Sequence, residues 1–513
     1  MVVGEQRSSK LVLAAMIFAV AMTFIDMTIV AIAAPELQHD LELSSTGLQW
    51  VINGYLLALS ALFALGGRLA DVMGHRTMVV IGVVVFAVSS ALCGATPEGQ
   101  FAEAWIVTFR VLEGAGAALM FPAALAIILA AFPLRKRGQA MGIFFGIAGG
   151  LTAVGPIAGG YLSEWTWRAI FWVNIPVAIT ALVLIYISKP AQSKAPAPID
   201  YRGAMLITGG MALAVLGLQQ ASTWGWDSPA TWGSIVAGLA FLGAFVRFER
   251  RVESPLINLD IFRDRGFSAE NAVLFIAMIP FIPMFFFASM YAQIGLGDGS
   301  SESGLYLMIF FGGFAVATQI GGRILDRRGA RLAVVPGAIL AAVGFYLWGQ
   351  ALPNLDLSDQ WKWIVMVGAG MGLIISPANT DAINRAPANA YGEATGITQT
   401  VRNFGSSLGM AVLGTILIHQ NKRHIEDSLD GFGIPKAEAD SIADSMSESS
   451  GGDSTHFASE TGKESKEIFD SIQLDFAQAM EIVFYGMAVA MAIAFVVALV
   501  TMPRGLVQPP GTE

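Results

Sequence analysis

Long apolar stretches recur along this sequence and leave it few ways to fold. They run over residues 11–34, 47–66, 77–95, 103–130, 140–161, 168–187, 203–220, 231–246, 267–294, 303–322, 332–352, 361–383, 393–419 and 476–502. A helix needs roughly 20 apolar residues to cross the hydrocarbon core of a bilayer. Only helices and closed barrels satisfy their backbone hydrogen bonds there. The pattern predicts an all-α membrane protein with fourteen transmembrane helices. Composition agrees, because 13% of the 513 residues are charged and 55% hydrophobic, about half the charged share of a soluble domain. A soluble enzyme is excluded. The first stretch is too long for a signal peptide and lacks a small-residue cleavage site at its end, so it is expected to remain as a helix.

The net charge of -9 is local, since residues 426–475 hold 13 acidic and 3 basic residues. Such a Ser-rich acidic run reads as a solvated segment, and no nucleic-acid partner follows from it. Placing the N-terminus in the cytoplasm puts Arg68, Arg76, Arg135, Arg137, Arg323, Arg327, Arg328, Arg331 and Arg385 on the inside, and leaves only Arg168 and Lys362 in the short outer loops. Both termini are therefore expected to be cytoplasmic, with the acidic loop 420–475 outside. Lone Cys93 has no second Cys or ligand-spaced His near it, so neither a disulfide, a metal site nor a redox cofactor is expected.

An internal repeat sets the architecture. GGRLADVMGHR at 66–76 returns as GGRILDRRGAR at 321–331, with Gly, Gly, Arg, Asp, Gly and Arg in register. The copies follow the second and tenth stretches, an offset of eight helices. A six-helix bundle over 1–188, a linker and inserted helix pair over 189–266, and a second six-helix bundle over 267–513 account for that offset. Parallel repeats with a site between them are a transporter plan.

These residues resemble those of a known family. The repeated segment is similar to the cytoplasmic signature loop of the major facilitator superfamily. DMTIVAIAAP at 26–35 and GPIAGG at 155–160 resemble motifs of its fourteen-helix drug:proton antiporter family, as do RVLEGAGAALMFP at 110–122, WRAIFWVNIP at 167–176 and GAGMGLIISPANT at 368–380. The resemblance implies a conformational lock at Gly67, Asp71, Gly74 and Arg76, with Asp326 and Arg331 in the second copy. Gly74 permits a tight turn, so Asp71 and Arg76 can pair with each other or with a neighbouring helix end. Gly155, Pro156, Gly159 and Gly160 form the antiporter motif, whose small faces favour close helix packing.

Buried charge is the sharpest signal, because each charge costs roughly 2.5–3.5 kcal/mol at a helix centre on insertion scales. Three residues are expected to sit deep: Asp26, Arg110 and Glu113. Counted along their helices they share a level, about 10–15 Å below the outer surface, and the i,i+3 spacing puts Arg110 and Glu113 on one face. One fixed cation between two acids leaves one acid to hold a proton. The resemblance assigns coupling to Asp26 and places an Arg at 110, whereas Glu113 enters from the charge count alone. A buried structural ion pair is the competing reading.

Trp50, Asn53, Tyr55, Phe121, Phe144, Tyr291, Gln319, Asn379, Gln399, Arg402 and Asn403 are candidates to line a substrate cavity. Arg402 would repel cations, balance a carboxylate or bind an anionic group. Asp381 and Arg385 are expected to make a contact at the cytoplasmic end, and most of the run Met284–Phe287 is expected to meet lipid. No Gly-rich loop ending in Gly-Lys-Ser or Gly-Lys-Thr occurs, so nucleotide hydrolysis is not implied. The reading is a monomeric, multi-pass carrier of the cell (inner) membrane, without cofactor or catalytic residues. It exports amphipathic or lipophilic organic compounds, cations among them, in exchange for protons. Export of an endogenous metabolite or lipid, an anionic one included, is the alternative. A membrane-bound enzyme or a receptor would need a clustered nucleophile or a folded sensor domain, and neither is visible.

Overall fold

The structure is a computed structural model and describes residues 2–192, 198–252, 255–297, 300–431 and 463–506. Its long helices are α1 (Val2–Ile32), α2 (Ser45–Met73), α3 (His75–Gly94), α4 (Ala102–Ala131), α5 (Leu134–Trp165), α6 (Asn174–Ser188) and α7 (Tyr201–Gln219). They continue as α8 (Pro229–Glu249), α9 (Arg265–Ile294), α10 (Ser300–Arg328), α11 (Arg331–Ala351), α12 (Leu357–Asn384), α13 (Tyr391–Gly431) and α14 (Lys463–Thr501). Among the described residues there is no strand, and thirteen helical segments are long and apolar enough to cross a membrane. The long helix outside those thirteen is α5, which packs along α1 and α10.

Polar punctuation starts several of these helices. Ser44 accepts the Gly47 N–H at 2.8 Å ahead of α2, and Asp264 accepts the Phe267 N–H at 2.7 Å ahead of α9. Such caps satisfy donors that the first helical turn leaves open. Between α2 and α3 the chain turns at Gly74 with φ 103°, and between α10 and α11 it turns at Gly329 with φ 91°. Both copies of the repeat thus use a backbone conformation that other residues resist.

Helices α1–α6 pack on one another, as do α9–α14, and two seams join the sets: α5 along α10, and α2 along α13. Helices α7 and α8 pair with each other, and α7 lies across the second seam, touching both α2 and α13. The acidic loop is shorter than 420–475, because α13 and α14 extend helically to Gly431 and from Lys463; residues 432–462 fall outside the described ones. Polar helical turns beyond the apolar part continue α13, with Lys422 and Glu426 an i,i+4 pair at 3.8 Å.

The run at the middle of α9 differs from expectation. Phe286 is exposed, but Met284, Phe285 and Phe287 are buried. Helix α9 is covered on several sides by α10, α12, α13 and α14, and Phe285 stacks on Phe311 at 5.2 Å.

Candidate functional site

Helix α4 presents Arg110 and Glu113 on one face, and α1 brings Asp26 to the same guanidinium. Arg110 Nη1 donates to Asp26 Oδ2 at 2.7 Å and to Glu113 Oε2 at 2.8 Å, while its Nε donates to the Val51 carbonyl at 2.9 Å. Tyr55, one turn on from Val51 in α2, places its ring 4.5 Å from the guanidinium carbon. Helix α3 contributes the Cys93 thiol, 4.0 Å from Glu113 Oε2. All three charged residues are sealed from solvent, with exposures of 0–2%. Among the described residues, Asp26 Oδ1 and Glu113 Oε1 have no hydrogen-bond partner. Low dielectric strengthens the pairs that exist and makes the unpartnered oxygens costly.

Two residues beyond Asp26, the Thr28 hydroxyl donates to the Thr152 carbonyl of α5 at 3.0 Å. Gly155 of the GPIAGG stretch lies against Thr28 and the Ile25 carbonyl, so an added side chain would meet Thr28. Gly159 is buried. Pro156 and Gly160 lie outside the residues whose side chains are described.

The hydrogen bonds that join the two sets of helices cluster at one end, the arginine-rich end. Asp71 accepts the N–H groups of Gly392 and Glu393 at 2.9 and 2.6 Å, the open donors at the start of α13. Its other partner is His75 at 2.8 Å, not Arg76. Asp326 likewise accepts from Gly138 and Gln139 at 2.8 and 2.9 Å, near the start of α5. Arg331 turns away from Asp326 and donates to the Leu499 and Met502 carbonyls at the end of α14. Here a helix end outcompetes the arginine within the loop, because it offers two directed N–H donors to one carboxylate. Gly67 packs against the Gly392 carbonyl, and Gly138 against that of Gly322. Arg137 adds bonds to Asn384 and Tyr391 at 2.9 and 2.8 Å. Arg68 pairs with Glu393 at 3.5 Å and donates to the Pro255 carbonyl, while Glu393 accepts the Asn258 N–H at 2.6 Å. The stretch that follows α8 therefore runs through this contact.

The cavity candidates divide. Asn379, Gln399 and Arg402 form one buried thread: Gln399 Nε2 donates to Asn379 Oδ1 at 3.3 Å, and Arg402 Nη1 donates to Gln399 Oε1 at 3.1 Å. Asn403 returns to the Gln399 carbonyl at 3.0 Å. Arg402 faces the Phe145 ring of α5 at 5.6 Å, and no carboxylate pairs with it among the described residues. Phe121 joins an aromatic group with half-buried Phe24 and buried Phe63 and Phe144. Trp50, Asn53 and Gln319 are half-buried. Tyr291 does not belong with them. Its hydroxyl donates to the Leu352 carbonyl at 2.7 Å and accepts from Gln360 at 2.7 Å, inside the packed core of α9, α11 and α12. A cleft lined by Glu36, His39, Asp40 and Trp165–Trp167 shares no residue with the triad or this thread.

Sequence reasoning counted three deep charges, but Glu270 and Asp381 are buried as well. A charge four residues into the apolar stretch 267–294 was the available signal for Glu270. Arg137 and Glu393 gave none, since each reads as an ordinary charge at a helix end.

A membrane protein built of two sets of six helices that meet along two seams, with buried charge inside both sets, has the form of a carrier. A model of the Major Facilitator Superfamily matches residues 16–410. The tetracenomycin C resistance and export protein of Streptomyces glaucescens is 37% identical over 78% of this chain and 74% of its own length. The puromycin resistance protein pur8 of Streptomyces alboniger is 32% identical over 79% and 81%. The multidrug resistance protein Stp of Mycobacterium tuberculosis is 30% identical over 80% and 76%. Among solved structures, the proton:xylose symporter XylE aligns over 98% of this chain and 97% of its own, with a TM-score of 0.62 and 12% identity, a likeness of fold. The chain belongs to the major facilitator superfamily. It is a multi-pass membrane transporter of small molecules, not an enzyme.

Proposed function

We propose that this chain exports amphipathic or lipophilic organic compounds in exchange for protons, by alternating access of helices α1–α6 against α9–α14. The observation that carries this reading is Arg110 held between Asp26 and Glu113, each with one oxygen lacking a donor among the described residues. One guanidinium balances one carboxylate, so the second carboxyl keeps a proton until water or a substrate charge reaches it. In this conformation the triad is sealed, and exchange requires the halves to part. The similarity to antibiotic and multidrug resistance proteins supports export as the direction and bulky organic molecules as the cargo.

In this reading α5 is a fourteenth span, α7 and α8 are inserted between two six-helix bundles, and the protein works as a monomer in the cell (inner) membrane with both termini in the cytoplasm. The arginine-rich end is then cytoplasmic, and its contacts latch the state closed to that side. The proton gradient is the only driving force needed. The test is proton release on substrate addition to the purified protein, compared with Asp26→Asn and Glu113→Gln. Loss of release in one variant identifies the carrier residue. Unchanged release in both rejects the assignment.

A second reading of the cargo rests on Arg402, a buried cation without a carboxylate partner among the described residues. An anionic group on the substrate would supply that partner. Comparing efflux of a lipophilic cation and of an anionic dye from loaded vesicles separates the two.

A further inference from the structure

A second group of buried acids lies in the half of the molecule that lacks Asp26. Glu270 is the sixth residue of α9, about 8 Å along the helix from its start. It is fully buried, and among the described residues neither carboxyl oxygen has a hydrogen-bond donor. Its neighbour within hydrogen-bonding reach is another carboxyl, that of Asp381 on α12, itself 2% exposed. Two carboxyl groups meet favourably only when a proton lies between them; two buried carboxylates at that separation repel each other.

The surrounding charge points the same way. Arg385 holds the outer side of Asp381, with Nε and Nη2 at 3.0 and 2.9 Å from Oδ2, and reaches Asp264 at 3.4 Å. Three acids thus face one guanidinium. Asp264 is half-exposed and solvated, whereas Glu270 and Asp381 are not. Asp260 and Arg263, in the turn ahead of α9, are exposed and pair with each other at 3.2 Å. Among the described residues, the other helices packed on α9 bring no charged side chain against Glu270. One proton shared by Glu270 and Asp381 leaves a single negative charge beside Arg385, the balance that burial demands.

We propose that Glu270 and Asp381 hold one proton between them, a protonation site separate from Asp26, Arg110 and Glu113. It lies under the arginine-rich contact: Arg137 of α5 bonds to Asn384, one turn beyond Asp381. Water reaches the pair when that contact opens. In the exchange cycle proposed above, this proton leaves on the arginine-rich side as substrate enters. The site itself rests on its own geometry and stands even where coupling through Asp26 fails.

Infrared difference spectroscopy of the full chain in lipid vesicles tests it, through the C=O stretch of protonated carboxyl groups in light and heavy water. The expected result is loss of one such band in Glu270→Gln, and its retention in the double variant Asp26→Asn, Glu113→Gln. Spectra of Glu270→Gln that superimpose on wild type overturn the proposal. So does a band lost in the double variant and kept in Glu270→Gln. If Glu270→Gln does not fold, Glu270→Asp draws the carboxyl back by one methylene and is expected to shift the band, and an unshifted band overturns the proposal equally.

Discussion

Asp71 and Asp326, 255 residues apart and equivalent in the internal repeat, each accept two consecutive backbone N–H groups from the opposite set of helices. Asp71 sits at the start of α13 and Asp326 near the start of α5. One carboxylate therefore anchors each seam, and a negative charge at a helix N-terminus is favoured by the helix dipole as well as by the hydrogen bonds. Neither aspartate opens without losing both bonds together.

Replacing either aspartate by Asn removes the charge and keeps the shape. Hydrogen bonds to a charged group are worth about 1.5–3 kcal/mol, so each single variant is expected to shift the ratio of latched to open molecules by about tenfold or more. Asp71→Asn with Asp326→Asn is expected to combine the two shifts, since both act on one equilibrium. Spin-label distances across the arginine-rich end measure the populations.

Gly67 and Gly138 make a sharper prediction. An added methyl group at either position meets a backbone carbonyl of the opposite half, Gly392 or Gly322, which cannot swing aside as a flexible side chain would. Gly67→Ala and Gly138→Ala are expected to disfavour the latched state by about 1–3 kcal/mol, the usual cost of overpacking. Transport falls while the fold persists. Cys93 is buried, so a single cysteine introduced at Ala394 reports opening by its rate of maleimide labelling.

Much of this arrangement was legible in the sequence because lipid enforces it. The apolar stretches located the helices, though α1, α13 and α14 run some nine to thirteen residues beyond them at one end, and the repeat located both anchoring aspartates. The intramembrane charges in the first half stood out against their surroundings, and the structure brings Asp26, Arg110 and Glu113 together. What stayed hidden depended on contacts between distant residues. Asp71 could pair with Arg76 or with a neighbouring helix end, and only the fold shows that the α13 amides take it. Tyr291 looked like a cavity residue because a tyrosine in an apolar stretch needs a polar partner, and the sequence could not say that Leu352 and Gln360 supply it. Glu270 reads only as a charge near the start of an apolar stretch, where a helix end would be drawn, and its burial under α12 depends on packing between distant residues.

Arg110 is the residue whose loss the triad tolerates least. Arg110→Ala leaves two carboxyl groups buried without their cation, and breaking a buried pair in this way costs about 3–5 kcal/mol. Adding Asp26→Asn and Glu113→Gln to that variant removes the stranded charges and is expected to recover most of the loss. Thermal unfolding in detergent, followed across the four combinations, measures the recovery.

In the proposed cavity, Arg402 is the charge that the cargo would meet. Two unit charges about 8 Å apart at an effective dielectric near 20 interact by about 2 kcal/mol, a factor of roughly 30 in affinity. Arg402→Gln is expected to tighten binding of a lipophilic cation and weaken binding of an anionic dye, each by up to that factor. Equal changes for both ligands point to packing against Phe145 as the role of the side chain.

Tyr291→Phe separates a structural role from a substrate contact. The hydroxyl donates to the Leu352 carbonyl and accepts from Gln360, whose amide also lies 3.5 Å from the Ala351 carbonyl. Removing the hydroxyl leaves a buried carbonyl and an amide N–H with fewer partners, at about 1–3 kcal/mol for the unsatisfied groups. The expected outcome is a lower unfolding temperature with the order of preference among substrates unchanged. A change in that order at unchanged stability would return Tyr291 to the wall of the cavity, because only a residue that touches the cargo can discriminate between cargoes without holding the fold together.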